Sequence, residues 1–229
     1  IAFAFCYNEE QFNYMTQVLQ FIQSLPSPIA QGFIWGIMAI GVYITYKILD
    51  LADLTVDGSF ATGGAVLVVL TTKGVNIYLA LLIAFAAGCL AGFVTGIFHT
   101  KFGIPAILAG ILTQLALYSI NLRIMSGKAN TSISKRNFNL IITSSADELG
   151  RTILVCAIFV AVLIGVLYWF FGTELGNSIR ATGCNQAMAR ANGINTDSRK
   201  IIGLVLSNGI VAMSGALLAQ FNGCADINM

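Results

Sequence analysis

The sequence predicts an all-α fold, a polytopic bundle of membrane-spanning helices. Hydrophobic residues make up 57% of the 229 positions and charged residues only 10%, whereas soluble domains carry about 25% charged residues. Several apolar runs also reach the roughly 20 residues that a helix needs to cross the hydrocarbon core of a bilayer. These observations exclude a soluble globular domain. The formal charge of +2 is not concentrated on a basic face, so we expect no nucleic-acid partner.

Four apolar runs are long enough to span a membrane unaided: 29–49, 75–98, 152–171 and 201–220. A fifth run, 104–125, contains polar residues that we expect to face protein, because lipid does not solvate them; they are Gln114, Asn121 and Arg123. Small residues recur every four positions in the second run, at Ala84, Gly88, Gly92 and Gly96. This stripe predicts close packing against another helix.

A polar stretch follows the first run and contains three aspartates, Asp50, Asp53 and Asp57. The next apolar piece, 60–70, is too short to cross a membrane. A short apolar half preceded by polar backbone is typical of discontinuous helices in membrane bundles. The sequence therefore predicts a discontinuous helix here, with Asp57 or Ser59 capping its second half.

The remaining residues argue against several other features. Residues 1–24 contain no Lys or Arg, so the basic region of a secretory signal is missing. The chain opens on Ile, and we expect Met15 to be a natural start, with 1–14 a tail and 1–28 an N-terminal segment before a membrane domain, 29–229. Five widely spaced cysteines and one histidine predict neither a disulfide framework nor a metal site. No phosphate-loop or catalytic motif is present, so we expect a non-enzymatic chain without a cofactor.

Two loops flank the run 152–171 and each carries four basic residues, so the positive-inside rule does not orient the chain. The first, 127–150, is predicted to be a polar connection with an interfacial element near 138–142. The second, 173–200, contains two short amphipathic pieces; Leu175 and Ile179 share a face of one, and Gly193 ends the other. On pattern alone this loop is equally compatible with a solvated connector.

Three stretches resemble the permeases of bacterial ABC importers related to the branched-chain amino acid permeases. Residues 174–183 and 188–196 are similar to the cytoplasmic coupling loop of that family. Residues 49–60 are similar to a signature of its tryptophan and tyrosine importer subgroup. Residues 102–109 and 217–223 resemble its transmembrane packing segments. The resemblance covers about 29–229.

The resemblance implies a type II-like ABC importer permease in the bacterial inner membrane, surrounded by lipid. It implies a separate ATPase subunit that hydrolyses ATP, a second permease subunit in a homodimer, and an extracytoplasmic solute-binding protein. Loop 173–200 would be cytoplasmic and 127–150 would face outward. The residues implied in coupling and ATPase contact are Glu174, Leu175, Gly176, Ile179, Arg180, Ala181, Gly183, Met188, Ala189 and Gly193. Family members generally continue past the position of Met229, so we expect further C-terminal segments to be missing here.

The polar residues within the bundle have two interpretations. Asp50, Asp53, Thr55 and Asp57 are candidates for a translocation path, because acids within a membrane are commonly functional; alternatively the aspartates lie at the interface or cap a helix. Gln114 and Asn208 are further path candidates, although hydrogen bonds between helices are the commoner role of such residues. The function expected is import of a small, amino acid-like solute. An ion- or proton-coupled transporter and a membrane scaffold are the alternatives.

Overall fold

The computed structural model describes residues 25–133 and 149–227, and its main-chain elements are almost entirely helical. The helices and strands, in chain order, are α1 Pro26–Tyr43, α2 Thr55–Thr72, α3 Ile77–Thr100, α4 Ala106–Ile124, β1 Asn130–Ser132, α5 Leu149–Gly172, α6 Glu174–Cys184, α7 Gln186–Ala191, α8 Thr196–Asn222 and β2 Cys224–Asp226. The expected N-terminal segment up to residue 24 and the interfacial element near 138–142 lie outside the described residues.

Within the described residues, six helices are long and apolar enough to cross a membrane. They are α1 with its π-helical extension to Ile48, α2, α3, α4, α5 and α8. The all-α polytopic architecture predicted from composition is therefore confirmed. The last helix begins at Thr196, five residues before the predicted run, because Asn195 caps it and the polar first turn is helical.

The centre of the bundle is formed by α2 and α8. In each of them 72% of the most apolar stretch is buried, against 11% in α5, which presents most of its surface to the surroundings. Helices α1, α3 and α4 lie around this central pair. Two serines of α8 donate hydrogen bonds across to α1, Ser207 to the Gly41 carbonyl and Ser214 to the Ile34 carbonyl, both at 2.7 Å. These bonds satisfy hydroxyls that lipid cannot solvate.

The prediction of a half-length apolar piece at 60–70 is wrong. The helix there, α2, contains 18 residues, which at a rise of about 1.5 Å per residue extend about 27 Å. Its first turns are polar but helical: Thr55 and Ser59 are buried against neighbouring helices, whereas Asp57 is exposed. Asp57 and Ser59 therefore lie inside α2 and are not caps; the backbone N–H of Thr55 donates instead to Asp53 Oδ1 at 2.9 Å.

The discontinuity lies earlier, between Ile48 and Thr55. The end of the first span is π-helical, with the Leu49 N–H donating to the Ile44 carbonyl at 3.1 Å. Asp50 then has a positive φ of 56°, a left-handed conformation that only a minority of non-glycine residues adopt. The interruption of helical backbone is thus real, but it separates two helices of full length.

A short antiparallel pair of strands closes the end of the bundle opposite α6. Strand β1 pairs with β2 in the register Thr131 to Ala225. Gly223, with φ 72°, ends α8 in the left-handed conformation and turns the chain into β2. This pairing was not predicted, because three-residue strands carry no periodicity that a sequence pattern could reveal.

Candidate functional site

One side of the interruption between α1 and α2 packs against the bundle: Leu49 and Leu51 are buried, whereas Asp50, Ala52 and Leu54 are exposed. Gly203 of α8 lies against Leu49, and Gly110 of α4 lies against the Leu54 backbone, where an added Cβ would be 2.8 Å from the Leu54 nitrogen. Irregular backbone within a membrane bundle requires protein or water around it. The close approach of two glycines therefore places α4 and α8 directly against the interruption.

A buried polar network connects this interruption to α2 and α8. Asn208 is fully buried; its Nδ2 donates to Asp53 Oδ2 at 2.7 Å and to the Leu204 carbonyl at 3.1 Å. Its Oδ1 accepts from the Ser59 hydroxyl at 2.7 Å. Two expected path residues, Asp53 and Asn208, are thus hydrogen-bonded to each other, and Asn208 joins helices as buried amides commonly do.

Three threonines form a second buried cluster beside the first. The Thr55 hydroxyl lies 2.8 Å from that of Thr95, which in turn lies 3.0 Å from that of Thr113. They connect α2, α3 and α4. Thr95 and Thr113 were not predicted. A threonine hydroxyl in an apolar run can donate to the carbonyl four residues earlier, as both hydroxyls also do here, so its presence does not indicate a partner on another helix.

Replacing Asn208 with leucine is expected to destabilise the protein by roughly 1–3 kcal/mol, because Asp53 and Ser59 both lose a buried partner. Ser59→Ala removes a single bond and should cost about 0.6 kcal/mol, the average for such bonds in membrane bundles. Denaturation of the purified protein in mixed detergent micelles measures both. The control is Ser119→Ala, whose exposed hydroxyl bonds only to its own helix; equal stability of Asn208→Leu and this control would contradict the prediction.

The other expected path residues occupy different places. Asp57 and Gln114 line one cavity of about 270 Å³ between α2 and α4, together with Tyr118, Asn121 and Ile227. Asn121 is 1% exposed, and neither its side-chain nitrogen nor its oxygen has a hydrogen-bond partner among the described residues. Asp50 is exposed and does not line this cavity. The spacing of Gln114, Tyr118 and Asn121, four and three residues, is the signal that places them on one helix face.

The segment after α5 folds into two short helices with defined ends. Thr173 Oγ1 accepts from the Gly176 N–H at 3.4 Å and begins α6. Asn185 Oδ1 accepts from the Met188 N–H at 3.0 Å and begins α7. Gly193 ends the pair with φ 79°, as its position in the sequence predicts. Side-chain caps at both starts make this segment, α6–α7, a structured hairpin.

The hairpin is attached to the membrane helices on its inner side. Ile179 is 1% exposed, and Gly183 packs on the Ile48 carbonyl at the end of the first span. Lys200 of α8 donates to Gln186 Oε1 at 3.1 Å. Arg190 donates to the Thr196 hydroxyl at 2.9 Å and lies 3.5 Å from Asp197. The hairpin therefore contacts both α8 and the backbone that leads into the interruption.

The ten residues expected in the coupling loop divide into two sets. Gly176, Ile179 and Ala189 are buried within this chain, and Gly183 is half-buried. The others are exposed: Glu174, Leu175, Arg180, Ala181, Met188 and Gly193. Leu175 and Met188 are apolar and exposed by 44% and 64%. The inner set holds the hairpin in place, and the outer set is available to another protein.

The small-residue stripe of α3 lies against α8. An added Cβ at Gly88 would meet the Asn208 carbonyl, and one at Gly92 would meet the Leu204 carbonyl. At Gly96 it would lie 3.1 Å from Ile201 Cγ1. Ala84 is fully buried. The two helices run antiparallel with their backbones close together, as small residues permit.

Comparison with known proteins identifies the family. The family described as the permease component of branched-chain amino acid transport systems matches residues 26–229. This chain belongs to that permease family. The resemblance inferred from the hairpin and the interruption is therefore confirmed. The permease is a multi-pass protein of the bacterial inner membrane, and its family consists of transport permease components.

Individual relatives carry related names. A tyrosine transport system permease protein of Clostridioides difficile is 45% identical over 89% of this chain and 66% of its own length. An uncharacterized protein of Rickettsia prowazekii is 34% identical over 90% of this chain and 71% of its own. A ribose import permease of Escherichia coli is 28% identical, and this permease spans 61% of its length. No solved structure matches the chain.

Proposed function

We propose that this permease is the transmembrane subunit of an ATP-driven importer for a small, amino acid-like solute. The observation that carries the proposal is the α6–α7 hairpin, which is anchored inwardly to α8 and the first span while it presents Leu175 and Met188 outward. A rigid amphipathic element of this kind fits a hydrophobic groove on a partner. The named transport and import functions of the relatives are consistent with it.

The same contacts supply a mechanical route into the bundle. Gly183 packs beside Ile48, so a shift of α6 acts on the backbone that leads to Asp53. Lys200 attaches the hairpin to α8, and Asn208 lies eight residues further along that helix, about 12 Å at the rise of an α-helix. Both routes converge on the Asp53–Asn208 hydrogen bond. Rigid-body movement of the hairpin would therefore change the interruption directly.

The proposal requires several partners. An ATPase subunit would hold the hairpin, which places α6 and α7 on the cytoplasmic side. A second permease subunit would complete the path, and an extracytoplasmic solute-binding protein would deliver the solute. Asp57 and Gln114 are the expected path residues that share a cavity, whereas Asp53, Thr55 and Asn208 belong to the buried networks that hold the helices around it.

Charging the outer face of the hairpin should weaken ATPase binding by at least about tenfold. The double variant Leu175→Asp and Met188→Asp alters only exposed side chains, but it would bury two unpaired charges in an apolar groove, and each tenfold loss corresponds to about 1.4 kcal/mol. Pull-down of the ATPase with the full-length subunit in mild detergent measures the effect.

The matched control is Asn76→Asp, which adds a charge at the opposite end of the bundle, at the start of α3. It should bind the ATPase as the unmodified protein does. Absence of an ATPase from every preparation, including the unmodified one, would instead favour an ion- or proton-coupled transporter. Solute uptake that is independent of this subunit would support the scaffold interpretation.

A further inference from the structure

The cavity between α2 and α4 is lined by the buried amide of Asn121 and by the exposed carboxylate of Asp57. Asn121 is 1% exposed, and among the residues that the structure describes its amide has neither a donor nor an acceptor partner. Asp57, in the first turn of α2, has no ion-pair partner in the described ranges 25–133 and 149–227. Both line the same space of about 270 Å³. From this juxtaposition we propose that the cavity is a solute subsite that binds the ammonium and carboxylate groups of an α-amino acid.

The two ends of such a solute have matching partners in the cavity. The carboxylate of Asp57 attracts an ammonium group, and among the described residues no Lys or Arg lines the cavity to compete for it. The amide N–H groups of Asn121 and Gln114 donate to a carboxylate, while their oxygens accept from the ammonium. Buried polar groups without a partner are rare in folded proteins and often mark a position that a ligand or ion fills. The amide of Asn121 is therefore expected to be satisfied by the solute.

The rest of the lining suits the side chain of an amino acid. Leu115, Tyr118, Ala61 and Ile227 supply apolar and aromatic surface, and binding sites for small molecules typically combine such walls with a few polar groups. The volume of about 270 Å³ is just below the roughly 300–1,000 Å³ usual for ligand pockets, which fits a solute of amino acid size. This inference rests on the proposed importer function and specifies the solute class and the residues that bind it.

Direct binding tests the subsite. The full-length permease with its ATPase, in nanodiscs and without the solute-binding protein, is titrated individually with the standard panel of L-amino acids. At least one should bind, and Asp57→Asn should weaken that binding by at least tenfold. The analogue of the same amino acid that lacks the ammonium group should bind Asp57→Asn at least as well as it binds the unmodified protein, because it has no group for the carboxylate to attract. Failure of every amino acid to bind the unmodified complex would overturn the subsite.

Asn121→Leu separates binding from folding. The exchange conserves volume and removes the unpartnered amide, so the variant should unfold at the same or a higher temperature while its affinity falls at least tenfold. Ser119→Ala on the same helix, whose hydroxyl does not line the cavity, should leave the affinity unchanged. A stable Asn121→Leu variant with unaltered affinity would refute the subsite. A destabilised variant would also refute it, because the loss of stability would show that the amide has a structural role. ATPase retention by the same samples reports separately on the importer function.

Discussion

A Gly183→Trp variant is expected to retain the ATPase, but its ATP-driven solute uptake should fall by at least about tenfold. Such a loss lies within the range of about 5–150-fold that is typical of coupling between two sites. Gly183 packs on the Ile48 carbonyl, and even a Cβ atom would overlap it and lie 3.1 Å from Leu49 Cα. Because the obstacle is backbone, α6 must move away from the first span. The outer residues of the hairpin, which we propose contact the ATPase, keep their positions on it, so hydrolysis should continue while its mechanical connection to the bundle is lost.

Gly172→Ala is the matched control for this variant. Gly172 ends α5 directly before the hairpin, and nothing lies within 4 Å of an added Cβ there. Uptake and hydrolysis in reconstituted liposomes should both equal those of the unmodified complex. Normal uptake by a well-folded Gly183→Trp variant would show that the contact with Ile48 does not carry the coupling.

Gly63→Leu is expected to have the largest effect on stability. Gly63 and Gly215 lie at the crossing of α2 and α8, where an added Cβ at Gly63 would meet the Ala212 carbonyl and lie 2.8 Å from Ala212 Cα. An added Cβ at Gly215 would likewise meet the Phe60 backbone. Overpacking commonly costs about 1–3 kcal/mol when side chains can adjust. At this crossing the obstacle is backbone, which cannot adjust as a side chain can. The loss of stability should therefore reach or exceed the upper end of that range, and the yield of folded protein should fall.

The control for this crossing is Gly165→Ala in α5. That glycine also lies within a spanning helix, but its added Cβ meets nothing within 4 Å. The substitution should be neutral or stabilising by at most about 1 kcal/mol, the difference in helix propensity between the two residues. Size-exclusion profiles and thermal unfolding in detergent compare the variants. Similar unfolding temperatures for Gly63→Leu and Gly165→Ala would contradict the packing argument.

The parts of the fold that depend on local sequence were predictable. Runs such as 75–98 contain enough apolar residues to span a membrane, and α3 lies there. Thr173, Asn185 and Gly193 mark the starts and the end of the two short helices in the hairpin. The length of an uninterrupted apolar run and a helix end at glycine depend on neighbouring residues in the chain, which is why they could be read without the tertiary structure.

The parts that failed depend on distant residues. The first turns of α2 are polar, a pattern that also fits irregular backbone, but Ser59 is satisfied by Asn208, 149 residues away, and Thr55 by Thr95. The pairing of β1 with β2 likewise joins segments that are far apart in the chain. A local sequence pattern does not predict a hydrogen-bond partner that lies on another helix.

Two asparagines show where the sequence stops being informative. Asn121 and Asn208 both interrupt apolar helices, and the sequence by itself determined that each must face protein or water, because lipid provides no hydrogen bonds. Only the tertiary structure decided that Asn208 is hydrogen-bonded within the bundle, and that Asn121 lines a cavity with Asp57 and has no partner among the described residues. The requirement for a hydrogen-bond partner is a property of the side chain and its solvent, whereas the identity of the partner depends on how the helices pack.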